Sequence, residues 1–439
     1  MLQKEKNSMD ILIRNAKIAT QDSKRRIIDG DVFISNNRIA EVGRNLKEKA
    51  EEKINGKGKL IFPGLVNTHT HVAMALFRGY GEGMRLQDWL GRKIWPAEAK
   101  LKPDDVYAGT MLGTSEMIRS GTTSFNEMYV IGLEKIAEAV EKSGMRASIA
   151  LGMLDKVMKN DADSQMGKTR EFISKLKSRS GRVKPAVSCH APYTCTPELI
   201  KKAKEYANEK NLQFHIHASE TRKEVFDLLT ANGKRPLEYL EGLGAMDNKT
   251  VLAHSVFVTK REIALAGKAG ATVSHNPISN LKLAGGGICP IVEFAKAGAN
   301  AALGTDGAAS NNSLNMIETM KMAALLQKNH YWDPLAISAG DALDYATING
   351  AKALGIDAGS IEKGKLADIV IANMQTANMA PSHDPIANIV YSMNPSNITD
   401  VIVDGEFALR EGRITAFNEQ EAIENASRAA LDLAARAKE

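Results

Sequence analysis

Two histidines one residue apart, His69 and His71, close an apolar stretch that has the character of a buried strand. Alternate residues of a strand point to the same side, so the two imidazoles project together. Imidazole nitrogens at this spacing can share one divalent cation, but an isolated pair can equally be two histidines hydrogen-bonded to the backbone. The pair therefore indicates a metal site only if further ligands lie elsewhere in the chain.

Further histidines and one aspartate end later apolar stretches. A second pair, His215 and His217, lies in "LQFHIHA", and spacing alone does not decide which of the two is a ligand. We favour His217, which is nearer the strand end, and interpret His215 as a packed core residue. Asp306 lies in "GTDGAASNNS", where glycines let a ligand approach the backbone, although a lone aspartate there usually caps a helix. The other strand-end residues are His190, His254 and His275.

Three neutral imidazoles and one carboxylate form a ligand set that suits Zn²⁺, and also Fe²⁺ or Mn²⁺. Such an ion can lower the pKa of a bound water from about 15.7 to about 7, which supplies hydroxide at neutral pH. Glu220 follows His217 by three residues in "HASE", and a carboxylate there can carry a proton between water and substrate. The alternative for Glu220, a carboxylate at a helix N-terminus, is compatible with that role.

The secondary structure must bring these residues together. Apolar strand candidates, the first being "LIFPGLVN", alternate with amphipathic segments, one of which predicts a helix from Pro103 to Gly121. Such alternation predicts parallel strands with helical crossovers, and eight strands over about 300 residues are typical of a closed (β/α)₈ barrel. The strand ends of a barrel meet at one face, where the candidate residues are expected. A doubly wound open sheet is the alternative, but no GxGxxG follows the first strand.

Both ends of the chain have the character of a small β domain. Short β-type runs flank two dipeptides that are typical of turns, Asn36-Asn37 and Asp404-Gly405. We therefore predict an α/β protein in which a (β/α)₈ barrel, residues 62–358, joins a β-sandwich domain built from both termini, residues 1–61 and 359–439. The alanine-rich tail after Asn418 predicts a helix within the C-terminal part.

Composition excludes several classes of function. The 439 residues are 44% hydrophobic and 25% charged, and the net charge of +5 is spread along the chain without a basic block, so nucleic acid binding is not indicated. The N-terminus is polar, unlike a signal peptide, and no apolar run approaches the roughly 18 residues of a membrane helix. Three scattered cysteines without a CxxC pair predict neither disulfides nor a thiolate site, which fits a cytoplasmic protein.

Five segments, "PGLVNTHTH", "HIHASE", "VLAHS", "SHNPISNLKLAGGG" and "LGTDGAASNNSLN", resemble the amidohydrolase superfamily. More narrowly they resemble its 5'-methylthioadenosine/S-adenosylhomocysteine deaminase branch, with the archaeal-type 5'-deoxyadenosine deaminases, over nearly the whole chain. The resemblance implies hydrolytic deamination of 5'-methylthioadenosine, 5'-deoxyadenosine, S-adenosylhomocysteine or adenosine to the inosine analogue and ammonia. The alternatives are a deaminase or hydrolase of a free base or triazine ring, and a catalytically silent barrel that serves as a scaffold.

The resemblance also implies a role for each site residue. One divalent metal ion per subunit, with Zn²⁺ expected before Fe²⁺ or Mn²⁺, is bound by His69, His71, His217 and Asp306. Glu220 passes a proton to a purine ring nitrogen, His254 orients the attacking water, and Asp306 also accepts a proton from that water. Glu98 contacts the ribose hydroxyls and His190 the purine; alternatively, Glu98 is a plain surface residue and His190 a structural cap. We interpret His275 as structural.

Two departures from related patterns concern the metal and the substrate. Binuclear members of the superfamily carry a bridging lysine at the end of the fourth strand, whereas here Lys184 lies at its beginning, which favours one metal. Homocysteine-accepting relatives can carry an arginine after the third strand, but Leu151 lies in that region and Arg170, in the later "GKTREF", is a weak substitute. Small or neutral 5' substituents are therefore favoured. The resemblance further implies a homo-oligomer, either a tetramer or a dimer.

Overall fold

The structure is a computed structural model that describes residues 9–159, 161–176 and 181–438. Most of the polar N-terminal segment that argued against a signal peptide, residues 1–8, lies outside these ranges. Within them, no helix combines the length and the apolar character that crossing a bilayer requires.

The strands fall into three groups along the chain. The N-terminal group is β1 (Ile11–Ala19), β2 (Ile27–Ser35), β3 (Arg38–Gly43), β4 (Glu52–Asn55) and β5 (Lys59–Pro63). The central group is β6 (Leu65–Thr70), β7 (Thr122–Tyr129), β8 (Arg146–Met153), β9 (Val183–Pro185), β10 (Val187–Cys189), β11 (Phe214–Ala218), β12 (Thr250–His254), β13 (Thr272–His275) and β14 (Asn300–Leu303). The C-terminal group is β15 (Ile369–Asn373), β16 (Ile398–Val403), β17 (Glu406–Arg410) and β18 (Arg413–Ile414).

One mixed sheet joins the two ends of the chain. Over the described residues its order is β18-β17-β16-β15-β5-β1-β2-β3, with β4 beside β1. The predicted turns connect the antiparallel pairs β2–β3 and β16–β17, and Asn36 and Asp404 adopt left-handed backbone there, with φ of 57° and 55°. Buried β-branched residues such as Ile13, Ile34 and Ile369 form a core separate from that of the barrel. The prediction of a small β domain built from both termini is confirmed, as a single mixed sheet.

The central strands form a parallel barrel. Their order within the described ranges is β14-β13-β12-β11-β10-β8-β7-β6, and β9 pairs with β8. The first and last strands lie side by side, because the Asp306 N–H donates to the carbonyl oxygen of His69 (3.0 Å) and the Thr68 hydroxyl donates to that of Leu303 (2.9 Å). The predicted (β/α)₈ barrel is confirmed.

The stretch predicted as the first barrel strand consists of two strands. β5 pairs with β15 in the terminal sheet, whereas β6 pairs with β7 in the barrel, and the chain crosses between them at Gly64. A Cβ at Gly64 would lie 2.2 Å from the Thr123 hydroxyl oxygen, so only glycine fits this crossing. Hydrophobicity is continuous across Gly64 and therefore does not reveal the change of sheet. The division at residues 61 and 358 stays a prediction.

Helices connect successive strands of the barrel. Two of the protein's helices were predicted from the sequence. The segment from Pro103 forms a helix that ends at Arg119, and the tail helix, which follows the last strand, begins after Asn418, whose side chain accepts from the Glu421 N–H. The helices are α1 (Leu86–Trp89), α2 (Trp95–Glu98), α3 (Pro103–Arg119), α4 (Leu133–Ser143), α5 (Asp155–Met158), α6 (Ala162–Leu176), α7 (Pro197–Glu209), α8 (Arg222–Asn232), α9 (Pro236–Gly242), α10 (Lys260–Ala269), α11 (Pro277–Lys282), α12 (Ile291–Lys296), α13 (Ala308–Asn311), α14 (Met316–Tyr331), α15 (Ala339–Ala346), α16 (Ile348–Leu354), α17 (Pro385–Ala387) and α18 (Glu419–Arg436). Short 3₁₀ or π-helical segments span Val72–Phe77, Leu90–Ile94, Asn388–Ser392 and Pro395–Asn397.

Candidate active site

A cavity of about 490 Å³ opens at the carboxyl ends of the barrel strands. The predicted residues that line it are His71, Glu98, His190, His217, Glu220, His254 and Asp306. His69, on β6, has no exposed surface and lies behind this wall, with its ring centroid 4.9 Å from that of His71. The barrel thus brings together residues that are up to 237 positions apart in sequence. A hydrogen bond between the hydroxyls of Thr68 and Ser274 joins strands across the same barrel.

The innermost cluster has the composition of a cation site. Ligand atoms of His69, His71 and His217 lie within 4.8 Å of one another, and so do those of His69, His254 and Asp306. The Nε2 atoms of His69 and His71 are each 3.3 Å from Oδ1 of Asp306. Nε2 of His69 is buried and has no hydrogen-bond partner among the described residues. Buried polar atoms rarely lack a partner, and a shared cation supplies one here.

The backbone fixes the ring protons of two of these histidines. Nδ1 of His71 lies 2.5 Å from the carbonyl oxygen of Met128, and Nδ1 of His217 lies 2.6 Å from that of His190. A carbonyl oxygen only accepts hydrogen bonds, so Nδ1 carries the proton in both rings. Each neutral ring therefore presents the Nε2 lone pair to the cluster, as a metal ligand must.

His254 has the opposite arrangement. The amide groups of Asn280 and Asn276 donate to its Nδ1, at 2.9 and 3.3 Å. Because Nδ1 accepts, the proton of the neutral ring is on Nε2, which lies 3.9 Å from Oε1 of Glu220. His254 thus offers an N–H donor to the cavity and not a lone pair, which separates it from the ligand candidates.

His215 lies behind His69 and does not line the cavity. Its Nε2 is 2.9 Å from Nδ1 of His69, so these two nitrogens share one proton, and its Nδ1 is 3.1 Å from the amide nitrogen of Asn126. Because an amide nitrogen only donates, the neutral His215 ring carries the shared proton on Nε2, and His69 must release its own Nε2 proton to bind a cation. The structure therefore places His217 in the cluster and His215 in the core, the assignment that strand position favours.

Two serine hydroxyls orient Asp306. Ser279 on α11 and Ser310 on α13 both donate to Oδ2, at 2.6 and 2.7 Å, which leaves Oδ1 facing the histidines. Burial acts to raise the pKa of Asp306, but the close approach of His69 and the charges of the nearby histidines outweigh it and lower the pKa well below its usual value. The carboxylate is thus held charged and with one oxygen directed at the cluster.

Glu220 lies at the edge of the cluster with a strongly perturbed carboxyl group. Burial, and then repulsion from Asp306, raise its pKa to about 8. The backbone N–H groups of Ser219 and Glu220 donate to the Glu224 carboxylate, at 2.9 and 2.7 Å, which fixes the loop before α8. A carboxyl group whose pKa is near neutral pH can both take up and release a proton.

Glu98, Tyr129 and His190 line the cavity beside this cluster. Burial raises the pKa of Glu98 to about 7, while the nearby Tyr129 hydroxyl acts to lower it. Nδ1 of His190 is 2.9 Å from the hydroxyl oxygen of Thr194, and burial, followed by His71 and His254, lowers the pKa of His190 to about 4. His190 is therefore a neutral ring at pH 7 and can hydrogen-bond an uncharged heterocycle.

Other residues singled out in the sequence do not reach the cavity. His275 is buried, and neither ring nitrogen has a partner among the described residues. Lys184 is exposed on β9, which agrees with a site that lacks a bridging lysine. Arg170 lies over the ring of Tyr206, 5.5 Å from its centroid, and does not line the cavity.

Sequence reasoning missed several residues that support the site: Tyr129, Glu224, Ser279 and Ser310. The two serines lie inside the motifs "SHNPISNLKL" and "GTDGAASNNS", which was the available signal. Tyr129 is the last residue of β7, so its position at a strand end was a second signal. Glu224 gave none, since an acidic residue in the first turn of a helix is common.

The amidohydrolase family model matches residues 60–408. This chain belongs to the amidohydrolase family. The 5'-deoxyadenosine deaminase of Methanothermobacter thermautotrophicus is 44% identical over 96% of this chain and 98% of that protein. The 5-methylthioadenosine/S-adenosylhomocysteine deaminase of Thermococcus sibiricus is 42% identical over 91% of this chain and 94% of its own length. The resemblance drawn from the motifs, including the branch, is confirmed.

A solved structure gives a comparison of the fold. The crystal structure of an adenosine deaminase from Xanthomonas campestris with bound zinc superposes with a TM-score of 0.93 at 31% identity. The match covers 97% of this chain and 99% of that one. The fold, including the terminal sheet, is therefore shared over nearly the full length.

Proposed function

We propose that this protein is a metal-dependent aminohydrolase that converts adenosine-type nucleosides into the inosine analogue and ammonia. The observation that carries the proposal is the distribution of ring protons: His71 and His217 present lone pairs, whereas His254 presents an N–H to the same cavity. A hydrolytic site needs both, since a cation requires lone pairs and an attacking water is oriented by a donor. The names of the relatives support the nucleoside as the substrate.

One divalent ion per subunit fits the innermost cluster, and we propose Zn²⁺ before Fe²⁺ or Mn²⁺. The ligands would be His69, His71, His217 and Asp306. The unpartnered Nε2 of His69 and the directed oxygen of Asp306 fit such an ion, and the Xanthomonas relative contains zinc. When bound, the ion supplies Lewis acidity that lowers the pKa of a water molecule.

The residues around the cluster complete the reaction. His254 donates its Nε2–H to the oxygen of the attacking water, which bonds to the purine carbon that carries the amino group. Glu220 takes one proton of that water and passes it to the adjacent ring nitrogen. Asp306 takes the second proton, whose transfer to the amino nitrogen accompanies cleavage of the C–N bond and releases ammonia. The pKa of Glu220, about 8, suits a group that takes up and releases a proton near neutral pH.

Glu98 and His190 favour a nucleoside over the alternative substrates. A carboxylate in the cavity accepts hydrogen bonds from the vicinal hydroxyls of a ribose, and a neutral His190 contacts the purine. A free base or a triazine has no ribose for Glu98. The three cysteines are free thiols, which supports a cytoplasmic location. A dimer or tetramer, implied by the family resemblance, belongs to the same proposal.

The test combines metal analysis with ammonia release. The purified protein should contain about one divalent ion per chain and release ammonia from 5'-deoxyadenosine, 5'-methylthioadenosine, S-adenosylhomocysteine or adenosine in preference to guanine.

Two variants separate metal binding from proton transfer. His217→Ala should lose metal and turnover together, because a ligand is removed. Glu220→Gln should keep the metal and lower kcat by about 10²–10⁴-fold. His383→Ala, which changes an exposed histidine outside the cavity, is the control and should alter neither. Full turnover in metal-free protein, or in Glu220→Gln, would contradict the proposal.

A further inference from the structure

One buried carboxyl group beside the site has no part in the proposed reaction. Glu127 lies on β7, has no exposed surface and does not line the cavity. Its Oε2 accepts a hydrogen bond from the Val72 N–H at 2.8 Å, whereas its Oε1 is buried and has no partner among the described residues. Burial of a carboxyl group with one partner opposes folding, so packing alone does not account for Glu127.

That single contact falls on the peptide unit that follows a candidate metal ligand. The Val72 N–H belongs to the peptide bond between His71 and Val72, and its direction is set by ψ of His71. His71 has φ of −125° and ψ of 77°, which are values of neither a helix nor a strand. Val72 begins a 3₁₀ segment in which the His71 side chain makes no cap hydrogen bond. Regular secondary structure therefore gives this N–H no partner, and the Glu127 carboxyl group supplies one.

Two neighbouring residues of β7 hold His71 at both ends. The carbonyl oxygen of Met128 accepts from Nδ1 of the ring at 2.5 Å, and the side chain of Glu127 fixes the backbone just beyond the ring. The ring contact alone would let the ring pivot about Nδ1 as the backbone shifts, and the backbone contact alone would leave the side-chain rotamer free. Together the two contacts fix the position of the His71 Nε2 relative to β7.

We propose that Glu127 is a positioning residue for the metal site: by holding the peptide unit between His71 and Val72, it keeps Nε2 of His71 directed at the cluster. This inference rests on the proposed metal site and adds to it a residue that does not line the cavity. The contact requires only a hydrogen-bond acceptor, and a carboxyl group provides one whether or not it is ionised. A side chain of the same length that carries a carbonyl oxygen should therefore replace it.

The test is the zinc affinity of the metal-free protein, measured by competition with a chromophoric chelator. Glu127→Met keeps the length of the side chain but removes the acceptor, so His71 loses its backbone anchor. The Kd for Zn²⁺ should rise about 10–100-fold, as when other groups that orient a metal ligand are removed. Glu127→Gln keeps an oxygen for the Val72 N–H and should retain the wild-type Kd. Glu127→Ala takes the place of Glu127→Met if that variant does not fold.

Turnover gives a second readout, and a buried carboxyl group elsewhere gives the control. At saturating zinc, Glu127→Met should lower kcat for 5'-deoxyadenosine and leave KM unchanged, because Glu127 does not line the cavity. Asp31 is buried in the terminal sheet and accepts from the backbone N–H groups of Asn15 and Leu46, both at 2.9 Å. Asp31→Ala should lower the midpoint of thermal unfolding and leave the zinc Kd unchanged, which separates lost stability from lost positioning.

The outcomes distinguish the positioning role from the metal site itself. A wild-type zinc Kd in folded Glu127→Met or Glu127→Ala would overturn the positioning role and leave the proposed function intact. A loss of zinc affinity in Glu127→Gln as large as in Glu127→Met would do the same, since the acceptor would then not be the property that matters. A wild-type protein that binds none of Zn²⁺, Fe²⁺ and Mn²⁺ would instead overturn the proposed metal site and this inference together.

Discussion

At the scale of single residues, the hydrogen-bond partner of Nδ1 in each imidazole decides what the other ring nitrogen, Nε2, offers to the cavity. His71, His217 and His254 line one cavity, yet a backbone carbonyl makes lone-pair donors of the first two and a pair of amides makes an N–H donor of the third. Asp306 is oriented in the same way. Two serine hydroxyls donate to its Oδ2, so only Oδ1 is available as a candidate ligand atom. Residue type alone therefore does not assign these roles.

Glu98 should give substrate binding a pH dependence. Its raised pKa of about 7 means that the carboxylate form is present only above that pH. Ribose hydroxyls donate more strongly to a carboxylate than to a neutral carboxyl group. The KM for 5'-deoxyadenosine should therefore rise as pH falls, by about tenfold between pH 8 and pH 6, as the ionised fraction falls.

The control for this prediction is Glu98→Gln, which cannot ionise. Its KM should be high at every pH and independent of pH over the same range, whereas any pH dependence of kcat that arises at Glu220 should persist. If the wild-type KM is constant from pH 6 to pH 8, Glu98 does not bind the ribose as a carboxylate.

The sequence identified the ligand candidates but not the residues that support them. The two HxH pairs and Asp306 stand out because strand-end histidines and a glycine-flanked aspartate are uncommon combinations. The choice between His215 and His217 depends on which ring faces the cavity, and strand position gave only a preference. Ser279 and Ser310 are small polar residues with many local uses, so nothing short of their distances to Asp306 reveals their function.

At the scale of elements, the site depends on how closely β14 approaches β6. Gly304 follows β14, and a Cβ there would lie 2.4 Å from Oδ1 of Asn276, 2.7 Å from Oγ of Ser274 and 2.9 Å from Cβ of His69. All three distances are shorter than ordinary contacts. The loop that carries Asp306 can therefore reach His69 only because residue 304 has no side chain.

Gly304→Ala should damage the metal site more than the fold. The added methyl group must displace His69, Ser274 or Asn276, and Asn276 also donates to His254. We expect metal affinity and kcat to fall by about 10–100-fold, as for other changes that misorient ligands. Metal content after dialysis against a weak chelator measures the first, and ammonia release the second.

Gly167→Ala is the matched control for this substitution. Gly167 lies on α6, and a Cβ there meets nothing within 4 Å, so the variant should keep both metal and activity. A Gly304→Ala protein that retains full metal content and wild-type kcat would show that β14 and β6 tolerate a wider separation.

Element prediction succeeded where local periodicity is strong and failed where the chain changes sheets. The helix from Pro103 has a proline start and a glycine after its end, and it forms as expected. Residues 60–66 carry no polar side chain, so the sequence predicts one strand, whereas the pairing of β5 with β15 and of β6 with β7 divides them. The pairing of β5 with β15 joins residues about 300 positions apart, so a short window of sequence does not reveal it.

At the scale of the whole molecule, a buried ion pair connects the barrel to the terminal sheet. Arg146 is the first residue of β8, and its Nε donates to Oδ2 of Asp368, just before β15, at 2.9 Å. Its guanidinium also pairs with Asp404, in the turn between β16 and β17. The side chains of Arg146 and Asp368 are only 7% and 1% exposed, so neither charge has a substitute partner in water.

Arg146→Met should lower the stability of the assembled protein without changing its chemistry. Removing one member of a buried pair leaves Asp368 and Asp404 uncompensated, which costs about 3–5 kcal/mol of unfolding free energy. Arg182→Met provides the comparison, because Arg182 pairs with Glu406 across the same junction but is 20% exposed and its partner 39%. Such pairs contribute about 0–1 kcal/mol.

Thermal unfolding of both variants, measured at the same scan rate, tests this difference. The midpoint should fall several times further for Arg146→Met than for Arg182→Met, while metal content and kcat at 25 °C stay at wild-type values in both variants. Equal midpoints for the two variants would show that the buried pair does not hold the barrel and the sheet together.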